Sequence, residues 1–415
     1  MKTHYALLAL LITAGTTARA QVVPAANVPG LPLSGTLSYN LGYTQTVYFD
    51  GGSQGPAQTA VLSGEAAYTN SSNAHPFRLM YSGGDMWSIA SSAGESGVFQ
   101  NLLVSQGFIG PKQGLTLSEN VSYMPEAPMT GFSGIPGVGT LPGLPVQPTL
   151  SILTQNTPSV FDSTNVVYTY RLDRATSLSG NGSYQILRFP DGNGLEMDSW
   201  MAGPQITRQL NAHNSISAQY TYSLISYPGS TFTMDTHTTM FGFQRTWSRR
   251  LQTNISGGPQ WIQSSDSAVI PSSTNLAVNA TATYKANSTS ASLSYFRAAT
   301  GGAGVETQFG VEESSAIANL TRQFNRNLSM NATFSYMRTG ELQLGTVAQP
   351  TGATNAELGG VGATQRLGRY ITVNATYTAI EQSTSAILPA NAINGFSQMI
   401  SFGVAYAPRP MHFKK

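Results

Sequence analysis

The chain of 415 residues has a formal net charge of +2, and 40% of its residues are hydrophobic but only 10% are charged. Because a typical soluble domain is about 25% charged, the polarity here comes mainly from uncharged side chains. The absence of Cys excludes a disulfide scaffold, a thiol nucleophile and a thiolate metal site. So small a net charge gives no reason to expect nucleic acid as a partner.

The N-terminal segment has the features of a secretory signal peptide. Lys2 precedes an apolar run over residues 7–12, and the small residues Ala18 and Ala20 stand just before Gln21. The apolar run is shorter than the roughly 20 residues that span a bilayer as a helix. We therefore expect residues 1–20 to be removed on export and residues 21–33 to form a periplasmic N-terminal segment. A short first helix is the alternative.

From about residue 34 onward, apolar and polar residues alternate. One such segment has Ile216, Ala218, Tyr220, Tyr222 and Leu224 separated by Ser217, Gln219, Thr221 and Ser223. A period of two indicates β-strands with one apolar and one polar face. We predict an all-β protein of about 18 strands, with 16 as the alternative count. The predicted strands lie near 34–48, 57–68, 75–83, 98–108, 114–124, 164–172, 176–187, 197–208, 214–226, 236–246, 250–263, 274–285, 288–297, 312–322, 327–338, 356–366, 369–381 and 395–407.

The connections between these strands alternate between two kinds. Short connections are basic, as at 171–174, 245–250 and 322–326, whereas longer ones are acidic, as around Asp191 and Asp235. Charges gather in the loops of any β protein, but that does not explain an alternation of sign. The alternation predicts an up-and-down sheet with one basic and one acidic end.

An up-and-down sheet of this many strands must protect its edges, and closure into a barrel removes them. Short turns at one end, long loops at the other and strands with one apolar face are typical of outer-membrane barrels. The chain resembles the bacterial outer-membrane β-barrel superfamily, in its porin-like branch, over about residues 34–407. The resemblance is architectural and carries no motif of a particular subfamily. It implies a closed antiparallel transmembrane β-barrel in the outer membrane of a Gram-negative-type bacterium, in contact with lipid and inserted by the barrel assembly machinery.

On this basis residues 34–407 form the predicted barrel, and residues 408–415 form a periplasmic C-terminal tail. The last strand, at 401–406, resembles the superfamily's insertion signal, although the tail follows where that signal usually ends the chain. Tyrosines near strand ends predict an aromatic girdle: Tyr48, Tyr68, Tyr123, Tyr227, Tyr284, Tyr336 and Tyr370.

A barrel of about 18 strands encloses an aqueous lumen, and the polar face of each strand would line it. The predicted lumen-lining residues are Asn40, Thr44, Asn165, Thr169, Gln219, Thr221, Asn254, Gln260, Asn279, Thr281, Asn331, Thr333, Asn374 and Thr376. All are uncharged, whereas ion-selective pores carry rings of charged side chains. The sequence therefore predicts a porin-like channel for passive passage of small polar solutes or export of a glycan. Whether the barrel is a monomer or a trimer stays open.

A Pro-rich segment over residues 125–163 interrupts the strand pattern. Its prolines forbid continuous ladder pairing, and strand parity assigns it to the outer loops. It could fold into the lumen as a constriction or lie on the surface. If it plugs the lumen, the protein is an occluded structural or adhesive barrel instead of a channel.

A second alternative is a hydrolase located at the barrel rim. His237 lies two residues from Asp235, and Gly51-Gly52-Ser53-Gln54-Gly55 matches the nucleophile-elbow pattern. That motif requires a strand-to-helix turn, whereas here it lies in a predicted hairpin loop. We predict no enzyme activity, no catalytic residue, no cofactor and no structural metal site.

Overall fold

The computed structural model describes residues 35–50, 57–90, 96–124, 158–192, 195–301, 310–342, 354–384 and 395–413. Its strands are β1 Gly35–Asp50, β2 Ala57–Asn70, β3 Phe77–Ala90, β4 Gly97–Ile109, β5 Gln113–Met124, β6 Ser159–Arg171, β7 Thr176–Arg188, β8 Met197–Gln209, β9 Asn214–Ser226, β10 Thr233–Thr246, β11 Leu251–Ser264, β12 Ser273–Lys285, β13 Thr289–Thr300, β14 Val311–Gln323, β15 Leu328–Glu341, β16 Thr354–Leu367, β17 Ile371–Thr384, β18 Gly395–Tyr406 and β19 Met411–Phe413. Within these ranges no helix is long and apolar enough to cross a membrane.

The sheet closes on itself. Each strand from β1 to β17 pairs antiparallel with the next, and β18 pairs with β1 from Leu41–Tyr406 to Asp50–Ser397. Closure gives every strand two neighbours, so that its backbone N–H and C=O groups are satisfied on both sides. The predicted all-β class, the up-and-down order and the count of 18 are confirmed, and the alternative of 16 is wrong.

A short nineteenth strand extends the seam between β1 and β18. Met411–Phe413 pairs antiparallel with Gly35–Leu37, and the Thr36 hydroxyl lies 3.1 Å from His412 Nδ1. The segment 408–415, predicted as a tail, thus contains a strand in its described part.

The two ends of the barrel differ in their connections. The end that we call the turn end carries the connections 71–76, 110–112, 172–175, 210–213, 247–250, 286–288, 324–327 and 368–370. Residues 407–410, between β18 and β19, also lie at the turn end, and the opposite, loop end carries all the other connections. The predicted Pro-rich loop 125–163 is shorter than expected, because residues 159–163 belong to β6, and residues 125–157 lie outside the described part of the chain.

The two faces of the sheet also differ. Large apolar side chains are exposed along the outward face, including Leu41, Leu62, Phe241, Ile255, Leu293, Phe334, Val361 and Phe402. Water-soluble proteins rarely expose contiguous apolar surface on this scale, which marks a membrane or protein contact. Here it surrounds a closed barrel, as the hydrocarbon-facing band of a transmembrane barrel does.

Candidate solute pathway

The predicted lumen residues lie on the inward-facing positions of their strands. Those exposed to the interior space are Thr169, Asn254, Asn279 and Asn331. Those half-buried are Asn40, Asn165, Gln219, Thr221, Thr281, Thr333, Asn374 and Thr376, and those buried are Thr44 and Gln260. Several hydrogen-bond to each other or to neighbours on the same face, as Gln219 Nε2 does to Thr221 Oγ1 at 3.1 Å and Thr333 Oγ1 to Asn319 Oδ1 at 3.0 Å. The inner wall towards the turn end is therefore built mainly of uncharged hydrogen-bonding groups, with the inward-facing Arg171, Lys285 and Arg366 at its rim.

Towards the loop end the inner wall becomes apolar. Buried inward-facing side chains there include Met86, Phe99, Leu187, Ile225, Met234, Ile262, Leu358, Ile380 and Met399. These strands therefore do not present the expected neutral, polar wall along their whole length. Burial on the inner side of a wide barrel requires other chain segments inside the barrel.

One such segment is the loop end of the β13–β14 hairpin. The β12–β13 ladder stops at Val278–Arg297, whereas β13 and β14 stay paired up to Thr300–Val311. The Gln260 side chain, on the inner face of β11, donates to the Ala299 carbonyl at 3.1 Å and accepts from the Ala299 N–H at 2.8 Å. The hairpin has therefore left its place beside β12 and leans into the barrel. We call residues 298–301 and 310–315 the inner hairpin.

The inner hairpin packs against the inner wall formed by β8, β9 and β10. The Tyr227 hydroxyl donates to the Gly301 carbonyl. Around this contact lies the apolar cluster of Ile225, Tyr227, Phe232, Met234, Ile262, Ile270, Ala299 and Leu342. A Cβ on Gly301 would lie 2.7 Å from Met197 Sδ, and one on Gly310 would lie 2.9 Å from Ile270 Cδ1. Glycine at both positions permits this close approach, and the docked hairpin narrows the lumen at the loop end.

Tyr227 corrects one expectation. It was predicted to belong to an aromatic girdle, but only 1% of its surface is exposed, and it faces the interior. Burial raises the pKa of its phenol above the ordinary value, so that the hydroxyl remains a hydrogen-bond donor.

Charged groups accompany the inner hairpin. Arg297 Nη2 lies 2.7 Å from Glu312 Oε1, and Asn275 Nδ2 on β12 donates to Glu312 Oε2 at 3.3 Å. Glu313 is buried, and its Oε1 has no hydrogen-bond partner in the described part of the chain. The narrowed region therefore carries carboxylates, which the predicted set of uncharged lumen residues did not include.

The charges of the barrel are separated between its two ends. Near the turn end, fourteen basic residues accompany two acidic ones, Glu65 and Asp173; the basic residues are Arg78, Lys112, Arg171, Arg174, Arg208, Arg245, Arg249, Arg250, Lys285, Arg322, Arg326, Arg366, Arg369 and Arg409. Near the loop end the order is reversed, and Arg188 and Arg297 there are held in ion pairs with Glu196, Asp198 and Glu312.

Of the residues suggested for a rim hydrolase, Asp235 and His237 approach each other, whereas residues 51–55 lie outside the described part of the chain. His237 Nε2 lies 3.4 Å from Asp235 Oδ2, and the Tyr220 hydroxyl lies 2.7 Å from His237 Nδ1. In a Ser-His-Asp arrangement one ring nitrogen must remain available to take the proton of the nucleophile. Here Asp235 lies at Nε2, and the Tyr220 hydroxyl occupies the place at Nδ1 where the hydroxyl of a serine nucleophile would lie. The described residues contain no group of three or more His, Asp or Glu that could hold a metal ion.

Closed antiparallel architecture and an apolar outer band together define a transmembrane β-barrel, whose inner wall is polar towards the turn end. No protein-family model matches the chain, and no curated protein matches it. Among solved structures, it is similar to Pseudomonas aeruginosa OccK2 (OpdF) in complex with glucuronate, with a TM-score of 0.48 and 11% identity over 92% of this chain and 98% of that chain. It is also similar to Pseudomonas aeruginosa OprD, with a TM-score of 0.44 and 10% identity over 94% of this chain and 98% of that chain. At such identities these likenesses concern the course of the backbone alone.

Proposed function

We propose that the protein is a passive outer-membrane channel for small polar solutes. The observation that carries this proposal is the division between the two faces of a closed barrel of 18 strands. An apolar outer band suits hydrocarbon, while uncharged amide and hydroxyl groups inside provide a hydrated path. Passage down a gradient needs no catalytic residue.

The orientation in the membrane follows the general form of such barrels. Short turns face the periplasm and longer loops face outward in outer-membrane barrels. The turn end, which also carries the first residues of β1 and all of β19, would then be periplasmic. The inner hairpin would narrow the pore on its external side. A narrowing there favours small solutes over the export of a bulky glycan.

Single-channel recording of the refolded mature chain in a planar bilayer tests this function. We expect discrete conductance steps, with passage of small neutral sugars in a liposome-swelling assay. Heat-modifiable migration on a denaturing gel provides the control that the barrel is folded. A folded barrel that never conducts and never admits solutes would contradict the proposal.

A silent folded barrel would support the alternative of an occluded structural or adhesive protein. The docked inner hairpin is the observation that favours this alternative, since it already fills part of the lumen. Weakening the docking separates the two cases. If a segment other than the inner hairpin plugs the lumen, such a variant would not conduct. If the inner hairpin limits the channel, the variant would conduct more than the wild type.

A further inference from the structure

The turns at the turn end repeat one local design. In four of them the residue after the strand donates its N–H to a carbonyl four residues later: Leu172 to Thr176 at 3.0 Å, Leu210 to Asn214 at 2.9 Å, Trp247 to Leu251 at 3.0 Å and Phe324 to Leu328 at 3.0 Å. The next side chain in each turn, Asp173, Asn211, Ser248 or Asn325, accepts two backbone N–H groups. The four turns therefore have the same backbone hydrogen bonds, and these bonds do not depend on the side chain of the apolar residue.

Each of these turns nevertheless presents a large apolar side chain to the surroundings. Leu172 is 52% exposed, Leu210 53%, Trp247 56% and Phe324 54%. They lie at the lower border of the apolar outer band, where a bilayer changes from hydrocarbon to headgroups. Amphipathic and aromatic side chains are favoured at that depth.

In three of the turns an arginine on the outward face precedes the apolar residue by two positions. These are Arg208, Arg245 and Arg322, which continue the outward rows of Ile206, Phe243 and Leu320. The Arg245 guanidinium lies 4.0 Å from the centre of the Trp247 ring, and that of Arg322 lies 5.2 Å from the Phe324 ring. In the described part of the chain, no carboxylate lies within ion-pair distance of these three arginines. The guanidinium groups of Arg245 and Arg322 are thus held beside outward-facing aromatic rings, and all three arginines can meet an external anion without first breaking an ion pair of the described residues.

We propose that the turn end binds anionic phospholipid headgroups of the leaflet that it faces, through Arg208, Arg245 and Arg322. A guanidinium matches a phosphate with two parallel hydrogen bonds, and the neighbouring Leu210, Trp247 and Phe324 insert beside the acyl chains. The excess of basic over acidic residues at this end adds a long-range attraction for the same leaflet. This inference rests on the membrane location in the proposed function, but not on conduction.

Trp247 is a local reporter for the test. It is at the turn end, whereas Trp87, Trp200 and Trp261 lie near the loop end of their strands. The full barrel is reconstituted into phosphatidylethanolamine vesicles containing brominated phosphatidylglycerol or brominated phosphatidylethanolamine. The difference in quenching between the wild type and Trp247→Phe gives the relative affinity of the two lipids at Trp247.

Two matched triple variants then test the assignment. Arg208→Gln, Arg245→Gln and Arg322→Gln remove the outward cations; Arg171→Gln, Lys285→Gln and Arg366→Gln remove the same charge from inward positions at the same end. We expect the preference for phosphatidylglycerol at Trp247 to fall about fivefold in the outward variant, because of its three arginines only Arg245 lies beside Trp247, and one arginine near an anionic surface accounts for a change of that size. The inward variant should keep the preference.

An absence of preference in the wild type, or an equal loss in both triple variants, would overturn the proposal. Equal loss would mean that net charge alone attracts the lipid. Quenching of Trp87, Trp200 and Trp261 reports independently whether the barrel is in the bilayer. A protein that inserts but does not conduct would therefore contradict the channel function and leave the lipid measurement valid.

Discussion

Gln260→Ala should release the inner hairpin. The Gln260 amide makes two hydrogen bonds to the backbone of Ala299 in a buried setting. An unsatisfied buried polar group costs about 1–3 kcal/mol, and the alanine variant leaves both the N–H and the C=O of Ala299 without this partner. Water can satisfy these groups only when the hairpin undocks. We therefore expect the docked state to lose about 2–4 kcal/mol relative to the undocked state, a shift of about 30- to 700-fold in the equilibrium.

Single-channel recording measures this shift as a larger conductance or a higher open probability. Asn254→Ala is the matched control, because Asn254 lies on the same inner face of β11 but is exposed. Thermal unfolding of both variants shows whether the barrel itself has been damaged. If Gln260→Ala conducts like the wild type, or if Asn254→Ala opens the pore to the same extent, the hairpin is not the element that limits passage.

Three further outcomes follow from the same geometry. Tyr227→Phe removes the hydroxyl that donates to Gly301, so the conductance should rise, but less than in Gln260→Ala. An unchanged conductance would contradict a role of this contact in docking. A spectrophotometric titration of the variant should show one tyrosine fewer with a raised pKa. Gly310→Val would place side-chain atoms against Ile270 and should open the pore or lower the refolding yield. In Gly359→Ala the added Cβ enters open space, so neither the conductance nor the refolding yield should change. Equal effects of the two substitutions would refute the steric argument. The Asp173 carboxylate accepts two backbone N–H groups, which lowers its pKa. Its stabilisation of the turn should thus be present above about pH 4 and be lost as the pH falls through the lowered pKa. An ordinary or raised pKa of Asp173 in an NMR titration would contradict this.

Regular alternation made most of the strands predictable. The predicted segment 214–226 coincides with β9, and 369–381 lies within three residues of the bounds of β17. Alternation along these strands is uninterrupted because one face meets hydrocarbon and the other meets polar surroundings. The segment predicted at 75–83 was too short, since β3 continues to Ala90 through Gly83 and Gly84. A Cβ on Gly84 would come within 2.7 Å of the Phe99 ring. This position therefore has no space for a side chain, and the glycine interrupts the alternation of polar and apolar residues.

The apolar part of the inner wall did leave a signal in the sequence. Where both faces of a strand are covered, the alternation gives way to consecutive apolar residues. Such pairs occur at Ile186-Leu187, Leu224-Ile225 and Trp261-Ile262, and in each the second residue is buried on the inner face. Reading these pairs as double-sided burial would have indicated a filled lumen near the loop end.

The inner hairpin itself could not be derived from the sequence. Its docking depends on Gln260 meeting the backbone of a residue 39 positions away. Neither an amide side chain nor an alanine carries a local pattern that announces such a contact. The predicted strands 288–297 and 312–322 leave residues 298–301 and 310–311 in a connecting loop, and their sequence shows no pattern that indicates docking. Only the early end of the β12–β13 ladder shows the departure.

The seam has a consequence for how the barrel is made. β1 is bonded by the last residues of the chain along both of its halves, by β18 at one end and by β19 at the other. The contacts that close the barrel therefore join residues at least 347 positions apart, as Thr46 and Ser401 illustrate. Contacts of such long sequence separation form slowly, because the intervening loop must be ordered first. Until the C-terminus has been delivered, β1 stays an open edge that can pair with other chains. Productive assembly of this protein thus depends on protecting its first strand for as long as its last strand is absent.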